Sequence, residues 1–413
     1  MQNAITRRGL IGAGVAASTA TMLPRRARAQ QKPIRIGVLT DMNGPYAANT
    51  GPGSVLASQM AVEDFMKAHP DIKVELVSAD MQDKPNVAVS IATDWLDNQG
   101  VDLITDLPLS SGAIAVGHMV DQRDKAAIWT GAASAELTGK QCGPNHLHWV
   151  LDTWSMPHAV VDAAVKEGGK TWFFITADYT FGHSLESDSA NFVTKGGGKV
   201  LGQAQTPFPG TTDFSAALVQ ARASGANVIG LANGGADTVN CIKQAAEFGI
   251  MKGGQKVAAL IFLLPDVHGV GLQAAQGVLL TDAFYWNMND KTRAFGHRFA
   301  KRFSGAMPSS DQAGQYSAIT NYLNAAVAIG VDKAKASGRA VFAQMRAKPI
   351  EDDLFGECTV RIDGQVTHNM YLFEVKSPAE SKEPWDYLTL RRTIPAAEAF
   401  RPLNEGDCPL VHS

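Results

Sequence analysis

The sequence has few cysteines, no excess of basic residues and no long apolar run beyond its first 23 residues. Four cysteines in 413 residues exclude a small disulfide-rich scaffold. No later apolar stretch reaches the length of about 18 residues that predicts a membrane-spanning helix. The 37 basic and 40 acidic residues give none of the basic surface that nucleic-acid binding requires, so nucleic acid is excluded as a partner.

The first 29 residues have the pattern of an export signal. They contain the pair Arg7-Arg8, a weakly apolar run over 10–23, and small residues at the end in Ala27-Arg28-Ala29. This pattern predicts export by the twin-arginine route, cleavage after Ala29 and a mature protein in the periplasm. Removal of the five leader arginines leaves 37 − 5 = 32 basic residues against 40 acidic ones.

An exported protein can form disulfides, and four cysteines allow three complete pairings that the sequence does not separate. Cys241 shares a helical face with Ala245 and Phe248, which predicts a buried free thiol. Cys142 and Cys408 both lie in Gly- and Pro-rich coil and are the first choice for a bridge.

Short apolar runs alternate with longer amphipathic segments after the leader. The strand-like runs cover 34–40, 72–79, 101–105, 126–130, 171–176, 227–232 and 257–262. The helical periodicities between them include 55–68, 85–98, 214–224 and 236–249. Because the strands are continuously apolar, they fit parallel sheets covered on both faces. The alternation predicts a doubly wound α/β fold with two such sheets.

The predicted organisation is two Rossmann-like lobes joined at a hinge. The first lobe comprises 33–150 with 282–348, and the second comprises 151–281 with 349–413. Three helices are predicted in 292–303, 313–334 and 339–347, followed by a short β-pair and a Pro-rich tail. No low-complexity linker divides the halves, so several chain crossings are expected to join them, as in hinged binding proteins.

Ligands of open α/β sheets bind beyond the carboxyl ends of the strands, so the residues that follow each strand are the candidate site. In the first lobe these are Tyr46 and Asn49, the Leu109/Ser110 loop, and Ala132 with Ser134. Ordinary strand-to-helix turns and serine caps are the alternative explanation of these residues.

The second lobe contributes further candidates by the same rule. Asp178, Tyr179 and Phe181 follow the strand 171–176, and Asn233 and Asp266 follow two later strands. Asp266 is the best-placed single acid to meet a cationic group of a ligand.

Two kinds of chemistry are weighed against a binding role. The chain has no Gly-x-Ser-x-Gly elbow and no phosphate-binding Gly-rich loop, although a hydrolase that uses Asp178, His183 or Ser184 remains an alternative. Cys142, His146 and His148 have metal-like spacing, but no fourth ligand is in view, so a structural role is favoured and neither a metal nor a cofactor is predicted.

Several stretches taken together resemble the type I periplasmic substrate-binding proteins of branched-chain amino acid (Leu/Ile/Val) ABC transporters. The resemblance depends on 34–47, the pair Ser110-Ser111, and the stretches 132–138, 181–182, 212–232 and 236–250 in this order. It implies a monomer whose lobes close over one small ligand, which is delivered to a permease without chemistry. A free ligand-sensing domain of the same fold is a second alternative.

The resemblance also implies roles for individual residues. Leu109, Ser110, Ala132 and Ser134 would hold the α-carboxylate of an amino acid, and an acid at or next to Asp266 would hold its amino group. Phe181 stands where the family has a tyrosine, and a second family tyrosine is replaced within 233–236. These departures widen the expected ligands to aromatic or aliphatic acids.

Overall fold

A computed structural model describes residues 32–411 of the chain. The predicted leader and its cleavage site after Ala29 lie outside these described residues. Within 32–411, no helix is both long enough and apolar enough to cross a lipid bilayer.

The first sheet has five parallel strands in the order β2-β1-β3-β4-β5. The strands are β1 (Ile34–Thr40), β2 (Val74–Asp80), β3 (Leu103–Asp106), β4 (Ala126–Trp129) and β5 (His146–His148). They alternate with the helices α1 (Gly51–Ala68), α2 (Pro85–Asp97) and α3 (Ser110–Arg123). Strands β3, β4 and β5 are buried along their whole length, as the continuous apolar runs predicted.

The second sheet has four parallel strands in the order β7-β6-β8-β9. Helix α4 (Ser155–Lys166) precedes the strands β6 (Thr171–Ala177), β7 (Lys199–Thr206), β8 (Val228–Ala232) and β9 (Lys256–Ala259). The helices that follow are α5 (Thr180–Lys195), α6 (Ser215–Ala223), α7 (Ala236–Glu247), α8 (Leu264–Val270) and α9 (Leu272–Ala275). The two doubly wound sheets confirm the predicted fold class.

The rest of the chain is a mixture of helices and antiparallel strands. Its elements are β10 (Leu279–Asp282), α10 (Asp290–Arg302), α11 (Ser310–Ile329), α12 (Val331–Ala336), α13 (Gly338–Arg346), β11 (Ile350–Asp352), β12 (Gly356–Val360), β13 (Val366–Thr367), β14 (Met370–Val375), β15 (Leu388–Ile394) and α14 (Ala396–Ala399). The single helix predicted over 313–334 is wrong, because the chain breaks at Gly330 with φ of 90°. The predicted terminal β-pair is also divided, since β12 pairs with β13 while β14 lies between β10 and β15.

Helices α1 and α11 pack closely against each other. A Cβ atom on Gly53 of α1 would lie 2.1 Å from the Nε2 atom of Gln312, so a larger residue there would displace the Gln312 amide from its hydrogen bonds. Helix α11 comes after the second sheet in the chain, but this contact packs it against α1, which belongs to the first sheet. The exact boundaries of the two lobes stay a prediction.

The tail is bonded to the segment that follows β4. Cys142 and Cys408 form a disulfide, as predicted. The guanidinium of Arg401 donates to the carbonyl of Ala135 at 2.7 Å. Cys241 is a buried free thiol, which confirms the second cysteine prediction.

Candidate functional site

A small cavity, the cleft cavity, lies between the loops that follow strands of the two parallel sheets. It offers about 30 Å³ of free space, so the two sets of loops are in contact and the cleft is closed. The residues that line it are Tyr46, Asn49, Thr50, Pro108, Gly131, Ala133, Leu151, Tyr179, Phe181, Gly234, Gly235, Ile261, Leu263 and Asp311.

An aromatic cluster closes one side of the cleft cavity. The Tyr46 ring, from the loop after β1, lies 6.3 Å from Phe181 and 5.4 Å from Phe208, which follow strands of the second sheet. Tyr179 stacks on Phe208 at 4.3 Å, and its hydroxyl is hydrogen-bonded to that of Tyr46. Burial raises the pKa of both phenols well above its ordinary value, so both hydroxyls are neutral.

Polar contacts also cross the cleft. The Asn49 amide donates to the Asp266 carboxylate at 3.0 and 3.2 Å. The backbone N–H of Leu263 donates to the same carboxylate at 2.9 Å, and burial raises the pKa of Asp266 to about 6. The N–H of Ala236 donates to the Pro45 carbonyl at 2.9 Å. The closed arrangement is therefore held by hydrogen bonds as well as by ring contacts.

Four of the residues predicted from the sequence line the cleft cavity, namely Tyr46, Asn49, Tyr179 and Phe181. Asp266 is bonded to one of them, as described above, but lies behind the wall.

The four residues predicted to hold a carboxylate, Leu109, Ser110, Ala132 and Ser134, are buried next to residues that line the cavity. Ser110 begins α3, and its hydroxyl oxygen accepts from the N–H of Ser134 at 3.2 Å. Leu109 and Ala132 are buried beside them, and their chain neighbours Pro108, Gly131 and Ala133 line the cavity. Whether these residues contact a ligand stays a prediction.

The two remaining candidates do not line the cleft cavity. Asn233 is fully buried, and its side-chain oxygen accepts from the Thr238 hydroxyl at 2.7 Å. Asp178 is exposed and lies 3.0 Å from the His183 ring. The structure therefore brings the neighbours Gly234 and Tyr179, rather than Asn233 and Asp178, to the cavity.

The residues of the hydrolase alternative are not arranged for proton transfer. The Ser184 hydroxyl is hydrogen-bonded to the Thr153 hydroxyl at 2.8 Å, while His183 is bonded to Asp178. A nucleophilic serine needs its base within hydrogen-bonding distance, and here these groups have other partners.

The structure gives two members of the Cys142/His146/His148 cluster other partners. Cys142 is used in the disulfide, and the Nδ1 atom of His146 accepts from the Trp129 indole N–H at 3.3 Å. No group of three or more His, Cys, Asp or Glu side chains among the described residues has an arrangement that could hold a metal ion.

Sequence reasoning missed Asp311 and the role of the buried acids that act on it. Asp311, in the first turn of α11, lines the cavity, and Asp106, Asp266 and Asp282 act on it electrostatically. Burial and these three carboxyls raise the pKa of Asp311 well above its ordinary value. Burial also raises the pKa of Asp106 to about 6 and that of Asp282 to about 7.

The capping box of α11 holds this group in place. The Ser309 hydroxyl donates to the Asn49 carbonyl at 2.6 Å, and the Gln312 amide donates to the carbonyls of Ala48 and Thr50 at 3.2 and 3.1 Å. The first turn of α11 is therefore tied to the loop that carries Tyr46 and Asn49. Asp311 does not follow a strand, so the rule used for the other candidates did not reach it.

The comparison with known proteins identifies the family. The family model described as periplasmic binding protein matches residues 33–382. This chain belongs to the periplasmic binding protein family. Among curated proteins, none matches the chain significantly.

Several solved structures are similar to this periplasmic binding protein. One from Burkholderia mallei, also a periplasmic binding protein, is 42% identical over 92% of this chain and 99% of that chain, with a TM-score of 0.87. A branched-chain amino acid ABC transporter periplasmic ligand-binding protein from Burkholderia xenovorans LB400 is 39% identical over 91% and 99% of the two chains, with a TM-score of 0.77. A Rhodopseudomonas palustris solute-binding protein in complex with benzoate, 19% identical over 88% and 97% with a TM-score of 0.75, shares the fold.

Replacement of Asp282 by asparagine is expected to stabilise this periplasmic binding protein by an amount that grows as pH rises from about 4 to about 7. An aspartate has a pKa near 3.9 in an unfolded chain and about 7 here, so the folded state binds an additional proton between these values. The stability from this proton is complete below about pH 4 and is lost as pH rises through about 7. Asp282→Asn should therefore raise the free energy of unfolding by about 4 kcal/mol at pH 8 and leave it nearly unchanged at pH 4.

Urea unfolding of both proteins at the two pH values measures this difference. Asp71→Asn, at an exposed turn, is the control and should change stability at neither pH. A difference between Asp282→Asn and the wild type that is independent of pH would contradict the argument.

Proposed function

We propose that this protein is the extracytoplasmic solute-binding subunit of an ABC importer. In this proposal it acts as a monomer in the periplasm, after removal of the leader, and captures a small carboxylate between two lobes. The ligand is a branched-chain amino acid or an aromatic or aliphatic acid, which is delivered unchanged to the permease. The single observation that carries the proposal is the cleft cavity, which lies between strand-end loops of two parallel sheets.

The chemistry of the cavity wall supports a small ligand with both polar and apolar parts. Tyr46, Tyr179 and Phe181 supply an aromatic side, while Pro108 and Gly131 place backbone at the start of α3 and after β4. A helix N-terminus attracts negative charge, so the start of α3 at Ser110 suits a carboxylate. This pattern of a mostly apolar cavity with a few polar groups is typical of small-molecule sites.

The relatives support the same role. The Burkholderia xenovorans protein is described as a branched-chain amino acid ligand-binding protein of an ABC transporter, and the Rhodopseudomonas palustris protein was solved with benzoate. These two descriptions correspond to the two ligand classes of the proposal.

A panel of small acids should raise the melting temperature of the purified protein. Because a ligand that binds only the folded state stabilises it by about 2.7 kcal/mol at 100 times its Kd, a true ligand gives a clear shift. The panel contains branched-chain and aromatic amino acids, benzoates and short aliphatic acids, and differential scanning fluorimetry gives the measurement. Absence of a shift with every member would contradict the proposal.

Recovery of the ligand distinguishes binding from catalysis. After incubation with the protein and heat release, mass spectrometry should recover the added compound unchanged and in full. Accumulation of a hydrolysis product that Ser184→Ala abolishes would favour the hydrolase alternative instead.

A further inference from the structure

Two acceptor oxygens without partners lie in the wall of the cleft cavity. Asp311 is 5% exposed and Asn49 is 3% exposed, and the Oδ1 atom of each has no hydrogen-bond partner. Because a buried polar atom without a partner is energetically unfavourable, such atoms favour the binding of a group that bonds to them. The Oδ1 atom of Asn49 requires a donor, and so does that of Asp311 when its carboxyl is ionised.

The charge around the cavity has one sign. None of the fourteen residues that line it is Lys, Arg or His, and Asp311 is the one acid among them. The charged groups that act on Asp311 are the carboxyls of Asp106 on β3, Asp266 on α8 and Asp282 on β10. A ligand with only a negative charge would approach four carboxyls with no cationic side chain in the wall.

We infer that Asp311, rather than Asp266, is the ligand's cation-binding residue, and that the ligand carries a protonated primary amine held by the Oδ1 atoms of Asp311 and Asn49. An ammonium group has three donors and no acceptor, which matches two unpartnered acceptors on residues that line the same cavity. The inference rests on the proposed function and narrows its ligands to amino acids and related amines, as opposed to simple aromatic or aliphatic acids.

Asp266 is poorly suited to this role in the closed cleft. Its two carboxylate oxygens already accept from the Asn49 amide and from the N–H of Leu263, and it does not line the cavity. It orients Asn49 instead, because the bond to the Asn49 amide nitrogen turns the Oδ1 atom of Asn49 away from Asp266. Asp266 is therefore a positioning residue.

Binding of an amine should be linked to proton release from Asp311. Burial and the three neighbouring carboxyls raise the pKa of Asp311, although its place in the first turn of α11 opposes this shift. An ammonium group favours the ionised carboxylate, so the affinity for an amine should rise between pH 5.5 and pH 8. A carboxylate held by protonated Asp311 would show the opposite dependence.

Matched ligand pairs test the inference with the full mature chain. Leucine is compared with 4-methylpentanoate and 3-methylbutylamine, and phenylalanine with 3-phenylpropanoate and 2-phenylethylamine, by isothermal titration calorimetry. The expected result is binding of at least one compound with an amine and at least 100-fold weaker binding of its deaminated partner. Tighter or equal binding of the deaminated acid would overturn the inference and leave the proposed function standing. Binding of a benzoate from the acid panel without binding of any of these compounds would do the same, whereas no binding by any member of either set would contradict both.

Variants of Asp311 give a second, independent readout. Asp311→Asn should lower the affinity for the amine at least tenfold and remove the proton release, which is measured by titration in buffers of different ionisation enthalpy. Asp71→Asn, the exposed control, should change neither quantity. If Asp311→Asn keeps the proton release and the affinity of the wild type, the inference is overturned. If that variant does not fold, the ligand pairs measured on the wild type decide the question.

Discussion

Replacement of Tyr46 by alanine is expected to weaken ligand binding by about 100-fold, which equals about 2.7 kcal/mol. Tyr46 follows β1 of the first sheet, but its ring contacts Phe181 and Phe208, which follow strands of the second sheet. These contacts join the two sets of loops across the cleft, so under the proposed function their free energy contributes to ligand affinity through closure. Isothermal titration calorimetry with the best compound of the acid panel measures the effect.

The variant Tyr46→Phe separates the ring from the hydroxyl. It keeps both ring contacts and removes the hydrogen bond to Tyr179, so a loss of about 1 kcal/mol, roughly fivefold in affinity, is expected. The melting temperature of each ligand-free variant shows whether the fold is intact. An affinity of folded Tyr46→Ala within threefold of the wild type would show that the ring has no part in closure.

Loss of the Cys142–Cys408 disulfide is expected to destabilise the protein strongly. The bond closes a loop with a sequence separation of 266 residues. Because long loops lose the most chain entropy when they are closed, the variant Cys142→Ala/Cys408→Ala should lose about 4 kcal/mol of unfolding free energy. For a chain of this length the melting temperature should fall by about 5 °C.

Reduction of the wild type provides the control for this variant. Dithiothreitol should lower the melting temperature of the wild type to that of the double variant and should leave the double variant unchanged. Equal melting temperatures of the oxidised wild type and the double variant would contradict the prediction. The free thiols Cys241 and Cys358 are buried in both proteins and so do not account for a response to the reductant.

Much of the fold follows from the sequence because buried parallel strands are continuously apolar. Strands β1, β4, β6 and β8 lie within one residue of their predicted bounds. Strand β7 was missed because it lies at the edge of its sheet, where exposed residues alternate with covered ones. The break at Gly330 was missed because the helical repeat of apolar residues continues through it. Such a repeat does not show that one residue within it has a positive φ.

The site was only partly predictable because strand ends indicate a region and not a particular side chain. The strand-end rule correctly predicted that Tyr46, Asn49, Tyr179 and Phe181 line the cavity. It did not separate Tyr179 from its chain neighbour Asp178, which is exposed. Asp311 lies in the sequence Ser309-Ser310-Asp311-Gln312, which has the composition of an ordinary helix start. Its burial depends on the packing of α11 against α1, which local sequence does not encode.

In the first turn of α11, different residues anchor the helix and line the cavity. Ser309 and Gln312 donate hydrogen bonds to the carbonyls of residues 48–50. The side chain of Asp311 makes none of these bonds. A substitution at position 311 therefore removes none of the donors of these hydrogen bonds. Under the proposed function, a library randomised at this one codon would yield binding proteins that differ in ligand specificity through a single side chain.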